Sequence, residues 1–391
     1  MHEAFFWLGL ATLLLALHPF VTYPLSLYGL HLWRRHRPGV PPPPDPALQF
    51  AVCMCAYNEA AVIEAKMQNL LALRAEEPDL EILVYVDAAT DATADLLAAY
   101  RDRITLVVSD ERRGKTAGMN QLVARAHAPI LVFTDANVLL DPEVLHALRR
   151  HFADPDIGCV CGNLVYVNAA DSVTAAIGSL YWRFEEAIKR LEGATGSVMG
   201  ADGSLFAIRR YLHHPPPDHL IDDMYVSFRV LCDGYRIVQA ADVRAYEQAA
   251  SAPEEEFRRK QRIACQGFNV HRVLWPRLRR LNGLVRYQYL SHKWLRWLCF
   301  YFLVLSFISI ELALVLAGQA AAALALVLLA LLVPVLGYGL RVQPFTQIFD
   351  ILAALAAVGL GVFYALRGEQ YQTWTPAASV RRALPMTEGK P

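Results

Sequence analysis

The chain has 391 residues, with 37 Lys and Arg against 37 Asp and Glu, so its formal net charge is zero. A nucleic-acid partner calls for a basic face, and this balance argues against one. Hydrophobic residues make up 55% of the chain and mean hydropathy is +0.27. Both values are high for a soluble protein and imply membrane segments beside at least one folded core. Seven cysteines are scattered along the sequence. Cys53/Cys55 and Cys159/Cys161 sit at alternate strand positions, and no second Cys/His pair lies at zinc spacing, which predicts free thiols in a reducing compartment.

Ala4 to Leu32 contains no Asp, Glu, Lys or Arg, and a bilayer needs ~20 apolar residues. It lacks the basic start and small-residue cleavage site of a secretory signal, so it reads as an anchor. His18, Pro19 and Pro24 predict a kink or a break into two pieces. The basic run Trp33-Arg34-Arg35-His36-Arg37 places the N-terminus outside and the following domain in the cytoplasm. Pro38 to Pro46 holds six prolines and reads as a stiff linker. From residue 47 to 250, strand-like and helix-like stretches alternate: strands at Phe50–Cys55, Glu81–Val86, Ile104–Val108 and Ile130 onward, helices at Glu59–Leu73, Thr90–Arg101 and Thr116–Ala126. That order predicts an α/β fold with a mostly parallel sheet covered on both faces. Ser172 to Gly193 carries Leu180, Phe184, Ile188 and Leu191 at helical spacing, as a core-facing or a membrane-surface helix would.

Beyond Leu281, Arg286, His292, Lys293 and Arg296 interleave with Trp294, Trp297 and tyrosines, the composition of an interfacial belt. Three span candidates follow: Trp297–Ala317, Ala320–Leu340 and Thr346–Leu366. Glu311 falls within the first, where a carboxylate is costly, and is expected near a span end. Three spans put the tail outside, whereas Arg367, Arg381 and Arg382 favour it inside. The expected organisation is an anchor over 1–37, a linker over 38–46, a cytoplasmic folded domain over 47–280, an interfacial helix over 281–296, a membrane region over 297–366 and a tail over 367–391.

The chemistry centres on Ile130 to Pro142. A buried strand there ends at Asp135 and Asn137, with Asp141 as helix N-cap and Pro142 at the first helical position. Carboxylates at the C-terminal ends of strands in an open α/β sheet lie where ligands bind. Two oxygen-bearing side chains two residues apart suit one hard cation shared with substrate phosphates. Asp87 ends another strand, so it and Asp135 can converge on one bound molecule. Gly114-Lys115-Thr116 is not a phosphate loop, since Ser109 stands where that motif needs its first glycine. Lys115 at a helix start still suits a phosphate as a point charge.

These sites resemble, in order, the motifs of membrane-bound family 2 glycosyltransferases of GT-A fold, the branch that includes hyaluronan, chitin, cellulose and poly-N-acetylglucosamine synthases. The motifs are Ala56-Tyr57-Asn58-Glu59, Asp87-Ala88-Ala89-Thr90-Asp91, Gly114 to Asn120, Thr134-Asp135-Ala136-Asn137, Gly200-Ala201-Asp202-Gly203, Asp222-Asp223 and Arg258 to Arg262. The resemblance implies a Rossmann-like GT-A domain joined to transmembrane helices. It also implies an inverting transfer from a UDP-sugar to a glycan or lipid-linked acceptor, in or toward polysaccharide synthesis, at the cytoplasmic membrane. Under it, Tyr57, Glu59 and Asp87 frame the uridine, Lys115 and Arg262 meet the nucleotide or diphosphate, and Asp135 with Asn137 holds Mg2+ or Mn2+. Asp202, Gly203 and Asp222 border the acceptor, and Asp223 is the general base. A homo-oligomer is compatible with this reading.

Departures from the family pattern bear on the same residues. Asn137 replaces an aspartate, which removes one charge from the metal pair. Ala88-Ala89 replaces Gly-Ser. Arg259 and Ile263 stand where Gln and Trp of Gln-x-x-Arg-Trp belong, and the lost tryptophan bears on processive polymerisation. The alternative function is a catalytically weak or inactive nucleotide- or glycan-binding subunit of a polysaccharide-export assembly.

Overall fold

The structure is a computed structural model that describes residues 1–34, 43–167, 173–248 and 253–373. Arg35, His36 and Arg37 of the basic flank, residues 38–42 of the linker, and the tail from 374 with Arg381 and Arg382 lie outside the described residues. The elements, in order, are α1 (His2–Leu17), α2 (Thr22–Arg34), β1 (Phe50–Ala56), α3 (Ile63–Glu76), β2 (Glu81–Asp87), α4 (Thr93–Ala98), β3 (Thr105–Ser109), α5 (Lys115–Val123), β4 (Ile130–Asp135), β5 (Leu139–Leu140) and α6 (Val144–His151). They continue with β6 (Ile157–Tyr166), α7 (Val173–Thr195), β7 (Leu205–Arg209), α8 (Asp222–Cys232), β8 (Arg236–Glu247), α9 (Pro253–Leu278), α10 (Gly283–Tyr289), α11 (Leu295–Leu316), α12 (Ala320–Pro334) and α13 (Phe345–Leu366). They fall into two compact units: residues 31–253 with 269–286 and 370–391, and residues 1–30 with 254–268 and 287–369.

The first unit is built on one eight-stranded sheet of order β3-β2-β1-β4-β7-β6-β8-β5. β3, β2, β1 and β4 run parallel, as alternation of strands and helices over 50–135 dictates. β7 then enters antiparallel to both β4 and β6, so the sheet becomes mixed. β1, β2 and β4 are buried on both faces, which is why they are near-continuous apolar runs without alternation. Val52, Met54, Ile82, Val84 and Val132 form the core under α3, which presents Ile63, Met67 and Leu70 at helical spacing. Burying one such side chain contributes ~1.5–3 kcal/mol, so this layer sets where the strand ends come to rest.

Several boundaries differ from the sequence expectation by a few residues, and two of them have a plain local reason. α4 is shorter than Thr90–Arg101 because the Asp91 carboxylate captures the backbone N–H of Thr93 at 3.0 Å and so defines the helix start. The helix expected to begin at Pro142 begins at Val144. Asp141 instead accepts the Glu143 N–H at 3.0 Å through its side chain and the Val144 N–H at 3.0 Å through its carbonyl, closing a turn before the helix. α7 carries Ile188 on its buried face together with Glu185, Lys189 and Glu192, so this face is a mixed one.

The second unit is helical. The segment Gly283–Leu316, Ala320–Gly339 and Phe345–Leu366 are each long and apolar enough to cross a membrane, and α1 with α2 passes only as a pair bent by 56°. The bend falls at residues 18–21, where His18 and Pro19 predict it. Helices α1 and α11 pack at backbone distance. A Cβ on Gly9 would lie 2.6 Å from the Ile310 side chain, and Ser306 donates its hydroxyl to the Gly9 carbonyl at 2.8 Å. A small residue facing a hydroxyl donor is how helices bind each other where lipid removes the hydrophobic driving force. Glu311 lies five residues before the end of α11, near the helix terminus as its charge requires.

Candidate active site

The site grows from the C-terminal ends of β1, β2 and β4. The chain leaves β1 through Asn58, whose φ is +52°. Its side-chain oxygen accepts the Thr90 N–H at 2.8 Å, which ties the loop after β1 to the loop after β2. Ala88 takes φ +50°, a left-handed conformation that costs a residue with a Cβ ~1–2 kcal/mol and glycine nothing. That is the position where the family pattern has glycine. Asp87, buried at the end of β2, accepts the N–H of Arg113 at 2.7 Å on one oxygen and that of Gly114 at 3.0 Å on the other. The carboxylate therefore fixes the backbone from which α5 springs, with Gly114 at φ +87°.

Lys115 opens α5 and reaches to the end of β4. Its Nζ lies 2.6 Å from Asp135 Oδ1 and 3.5 Å from the Gly203 carbonyl. A Cβ at Gly203 would lie 2.9 Å from Asp223 Oδ2 and 3.3 Å from Lys115 Nζ. Asp135, Lys115, Gly203 and Asp223 thus meet at one place, and Asp87 grips the loop that delivers the lysine. The loop leading into Asp222 and Asp223 at the start of α8 is held by α5 as well: Thr116 donates to the Leu220 carbonyl at 2.7 Å and Asn120 to the Pro216 carbonyl at 2.9 Å. Ser227 of α8 accepts the Ala201 N–H at 3.0 Å and donates to the Asp223 carbonyl at 2.6 Å, joining the Asp202–Gly203 loop to the same helix.

Charge sorts these groups. Burial pushes the Asp223 carboxyl up to about 7, with Asp222 and Asp202 adding to the rise and Lys115 and the Met224 N–H opposing it. Burial works against a charged Lys115, but Asp135, Asp222 and Asp223 outweigh it and hold the ammonium above its ordinary range. The result is a fixed cation beside a carboxyl poised near neutrality, the pairing that proton transfer at pH 7 needs.

The remaining expected residues lie as follows. Tyr57 is stacked under Arg112, whose guanidinium carbon is 3.4 Å from the ring centroid. Glu59 is buried, its N–H donated to Thr93 Oγ1 at 2.8 Å. Asp202 accepts the Ser204 N–H at 3.1 Å. Asp222, the first residue of α8, is buried, and among the described residues no hydrogen-bond donor reaches its Oδ2. Arg262 belongs to the helical unit, where it donates to Gln266 one turn along α9 at 3.4 Å.

Three residues at the site were not singled out in the sequence. Glu247, the last residue of β8, accepts the Asn137 side-chain N–H at 2.9 Å. Lys66 of α3 is fully buried and donates to Thr134 Oγ1 at 3.2 Å and to the Val138 carbonyl, pinning both ends of the turn that carries Asp135 and Asn137. Burial drives its amine down to about 7, against the pull of Asp135. A lysine three residues after Ile63 and one before Met67, on an otherwise apolar helical face, was the signal available. Arg112 lies 3.5 Å from Asp87 as well as over Tyr57.

The donor set suits a hard divalent cation. Among the described residues no three of His, Cys, Asp and Glu gather as a metal cluster. What the turn after β4 offers is the Asp135 carboxylate, with one oxygen on Lys115, and, two residues on, the Asn137 amide, whose NH2 is on Glu247. A cation that keeps several waters and takes the rest of its shell from substrate phosphates needs no more from the protein.

Residues 51–214 match the family model Glycosyl transferase family 2. This is a family 2 glycosyltransferase domain. The chain is 28% identical over 192 residues to a poly-beta-1,6-N-acetyl-D-glucosamine synthase of Staphylococcus aureus strain COL, covering 47% of this chain and 46% of that one. It is 28% identical over 150 residues to a validoxylamine A glucosyltransferase of Streptomyces hygroscopicus subsp. jinggangensis, 37% of this chain and 36% of that one. The chain thus aligns with less than half the length of these relatives. A solved mannosyltransferase from Pyrobaculum calidifontis, in complex with GDP-Man and Mn2+, superposes with a TM-score of 0.68 at 22% identity, over 93% of this chain and 99% of that one. That superposition shows the fold: the glycosyltransferase domain is GT-A, and it comes with three candidate membrane-spanning helices.

Proposed function

We propose that the chain is an integral-membrane, metal-dependent, inverting glycosyltransferase that transfers a sugar from a UDP-sugar to a glycan or lipid-linked acceptor, with its catalytic domain on the cytoplasmic side. The observation that carries this reading is the convergence of Asp135, Lys115, Gly203 and Asp223. Supporting it are the family of the domain and the homology to a polysaccharide synthase.

The geometry divides the labour. Asp223 takes the proton of the acceptor hydroxyl as that oxygen attacks the anomeric carbon, and the sugar–phosphate bond breaks on the opposite face. With its carboxyl near 7, about half of the enzyme holds the base form at neutral pH. Lys115, kept cationic by three aspartates, faces the negative charge that builds on the departing diphosphate. Asp135 and Asn137 would hold the Mg2+ or Mn2+. When bound, that ion polarises the diphosphate as a Lewis acid and adds to the neutralisation begun by Lys115. Asp87, Tyr57 and Glu59 lie at the ends of β2 and β1, beside the Lys115 loop, and receive the nucleoside. Asp222, itself buried, and the partly exposed Asp202 add to the rise that burial gives Asp223, and both border the acceptor.

The test is nucleotide release by the detergent-solubilised full chain on a panel of UDP-sugars and GDP-mannose, with and without Mn2+. Release of UDP that requires the metal and is lost in Asp135→Ala and Asp223→Asn supports the reading. Full activity in either variant, or tight UDP binding with no turnover on any donor and acceptor, overturns it. The length of the product on a sizing gel separates single transfer from polymerisation.

A further inference from the structure

The departure at Asn137 has a partner elsewhere in the fold. In the Asp-x-Asp pattern the second aspartate brings a negative charge to the cation. Here that side chain is an amide, and its Nδ2 donates to Glu247 Oε1 at 2.9 Å. Glu247 comes from the far end of the domain sequence, 110 residues later. Two pairings bring it there: β5 runs antiparallel to β8 with Leu139 opposite Tyr246, and β6 runs beside β8 with Tyr166 opposite Glu247. The other Glu247 oxygen lies 3.5 Å from Ser204 Oγ. The Ser204 carbonyl accepts from Thr134 at 3.0 Å, so the glutamate is tied to both sides of Asp135.

We infer that Asn137 and Glu247 are an exchanged pair: Glu247 carries the charge that the second aspartate of Asp-x-Asp would bring, and its hydrogen bond turns the Asn137 amide oxygen toward the cation. This rests on the metal-dependent reading above. An ionised carboxylate only accepts, so the amide must present its NH2 to Glu247, and its oxygen is then directed away from that carboxylate. An aspartate at 137 would instead place two carboxylates at hydrogen-bonding distance, and like charges so close do not both ionise. The amide is thus the residue type that position 137 requires once Glu247 is present. Lys66 holds the same turn from beneath, through Thr134 and the Val138 carbonyl, so the amide has little freedom to rotate out of line. Glu247 acts through Asn137 and is a positioning residue.

The experiment is Mn2+ binding to the full chain in detergent, followed by the loss of the free-ion EPR signal, alone and with UDP. The proteins are wild type, Glu247→Gln and the double variant Asn137→Asp/Glu247→Gln. Both substitutions are isosteric, and thermal unfolding checks that each protein folds. Glu247→Gln is expected to weaken Mn2+ binding ~10–100-fold, the usual effect of removing a partner of a metal ligand. The double variant, which moves the charge from one side chain to the other while keeping a donor–acceptor pair, is expected to regain most of that loss. Wild-type affinity in Glu247→Gln, a double variant that binds no better than Glu247→Gln, or a wild type that binds no Mn2+ overturns the pair. Mn2+ binding that follows the expected order in a protein that turns over no sugar donor would uphold the pair and refute the functional reading. Metal-dependent turnover with unchanged Mn2+ affinity in Glu247→Gln would do the reverse.

Discussion

Asp223→Asn separates the two consequences of a carboxyl held near pH 7 and moves them in opposite directions. Loss of a positioned base lowers turnover ~10²–10⁴-fold, a barrier increase of ~3–5 kcal/mol. Stability responds the other way. The Asp223 carboxyl sits at about 7 in the fold against an ordinary 3.8, and each pH unit is worth ~1.4 kcal/mol. The fold therefore disfavours the ionised form by ~4 kcal/mol, and ~2 kcal/mol is the working figure for a half-buried group. Because the folded pKa is the higher one, the native state holds the extra proton between 3.8 and 7. Stability thus falls as pH rises through that window and stays low above it. Asparagine carries no charge at any pH, so Asp223→Asn is expected to unfold at a higher temperature than wild type at pH 8. The gap should close toward pH 4, while nucleotide release is lost throughout. The assays are thermal unfolding in detergent and UDP release across the same pH series. Wild-type turnover should itself rise with pH through about 7. A flat wild-type profile, or an Asp223→Asn protein that keeps more than ~10% of wild-type turnover, refutes the assignment of this base.

Three further outcomes follow from the same geometry. Lys115→Met removes the cation that holds the Asp223 carboxyl down, so the midpoint of any residual pH–rate profile should move up by ~1 unit or more while kcat falls. Gly203→Ala places a methyl 2.9 Å from Asp223 Oδ2, closer than side chains approach. Turnover should drop ~100-fold, as for small displacements of catalytic groups, with an unchanged unfolding temperature. Lys66→Met removes an amine held at about 7 against 10.5 in the unfolded chain. The unfolded state binds the extra proton between these values, so wild-type stability should gain on that of the variant by up to ~1.4 kcal/mol per unit as pH rises from 7 to 10. Urea or thermal unfolding at two pH values checks this, and equal slopes for the two proteins would contradict the burial of the lysine.

How much was legible in the sequence follows from what each feature depends on. Three of the four parallel strands could be read because a strand buried on both faces is a continuous apolar run, and residues 50–56, 81–87 and 130–135 are such runs, whereas β3 is a partly exposed edge strand. The apolar helices were legible for a related reason: lipid demands an unbroken stretch, and the bend between α1 and α2 falls at His18–Pro19. Asp87, Lys115, Asp135 and Asp223 stood out because polar residues at strand ends and helix starts are local signals. The antiparallel insertion of β7 between β4 and β6 was not legible, since a five-residue strand carries no mark of the direction in which it will pair.

The chain alone determined which side chains are available for chemistry at the strand ends and that apolar helices accompany them, because both are written in short windows of residue type and period. Only the tertiary structure decided what those side chains meet. Register along β8 sets Glu247 against Asn137 across 110 residues, and the packing of α3 drives Lys66 beneath the turn after β4. Pairing register and helix packing are settled by the whole core at once, so neither the partner of Asn137 nor the support under Asp135 could be read from any single stretch.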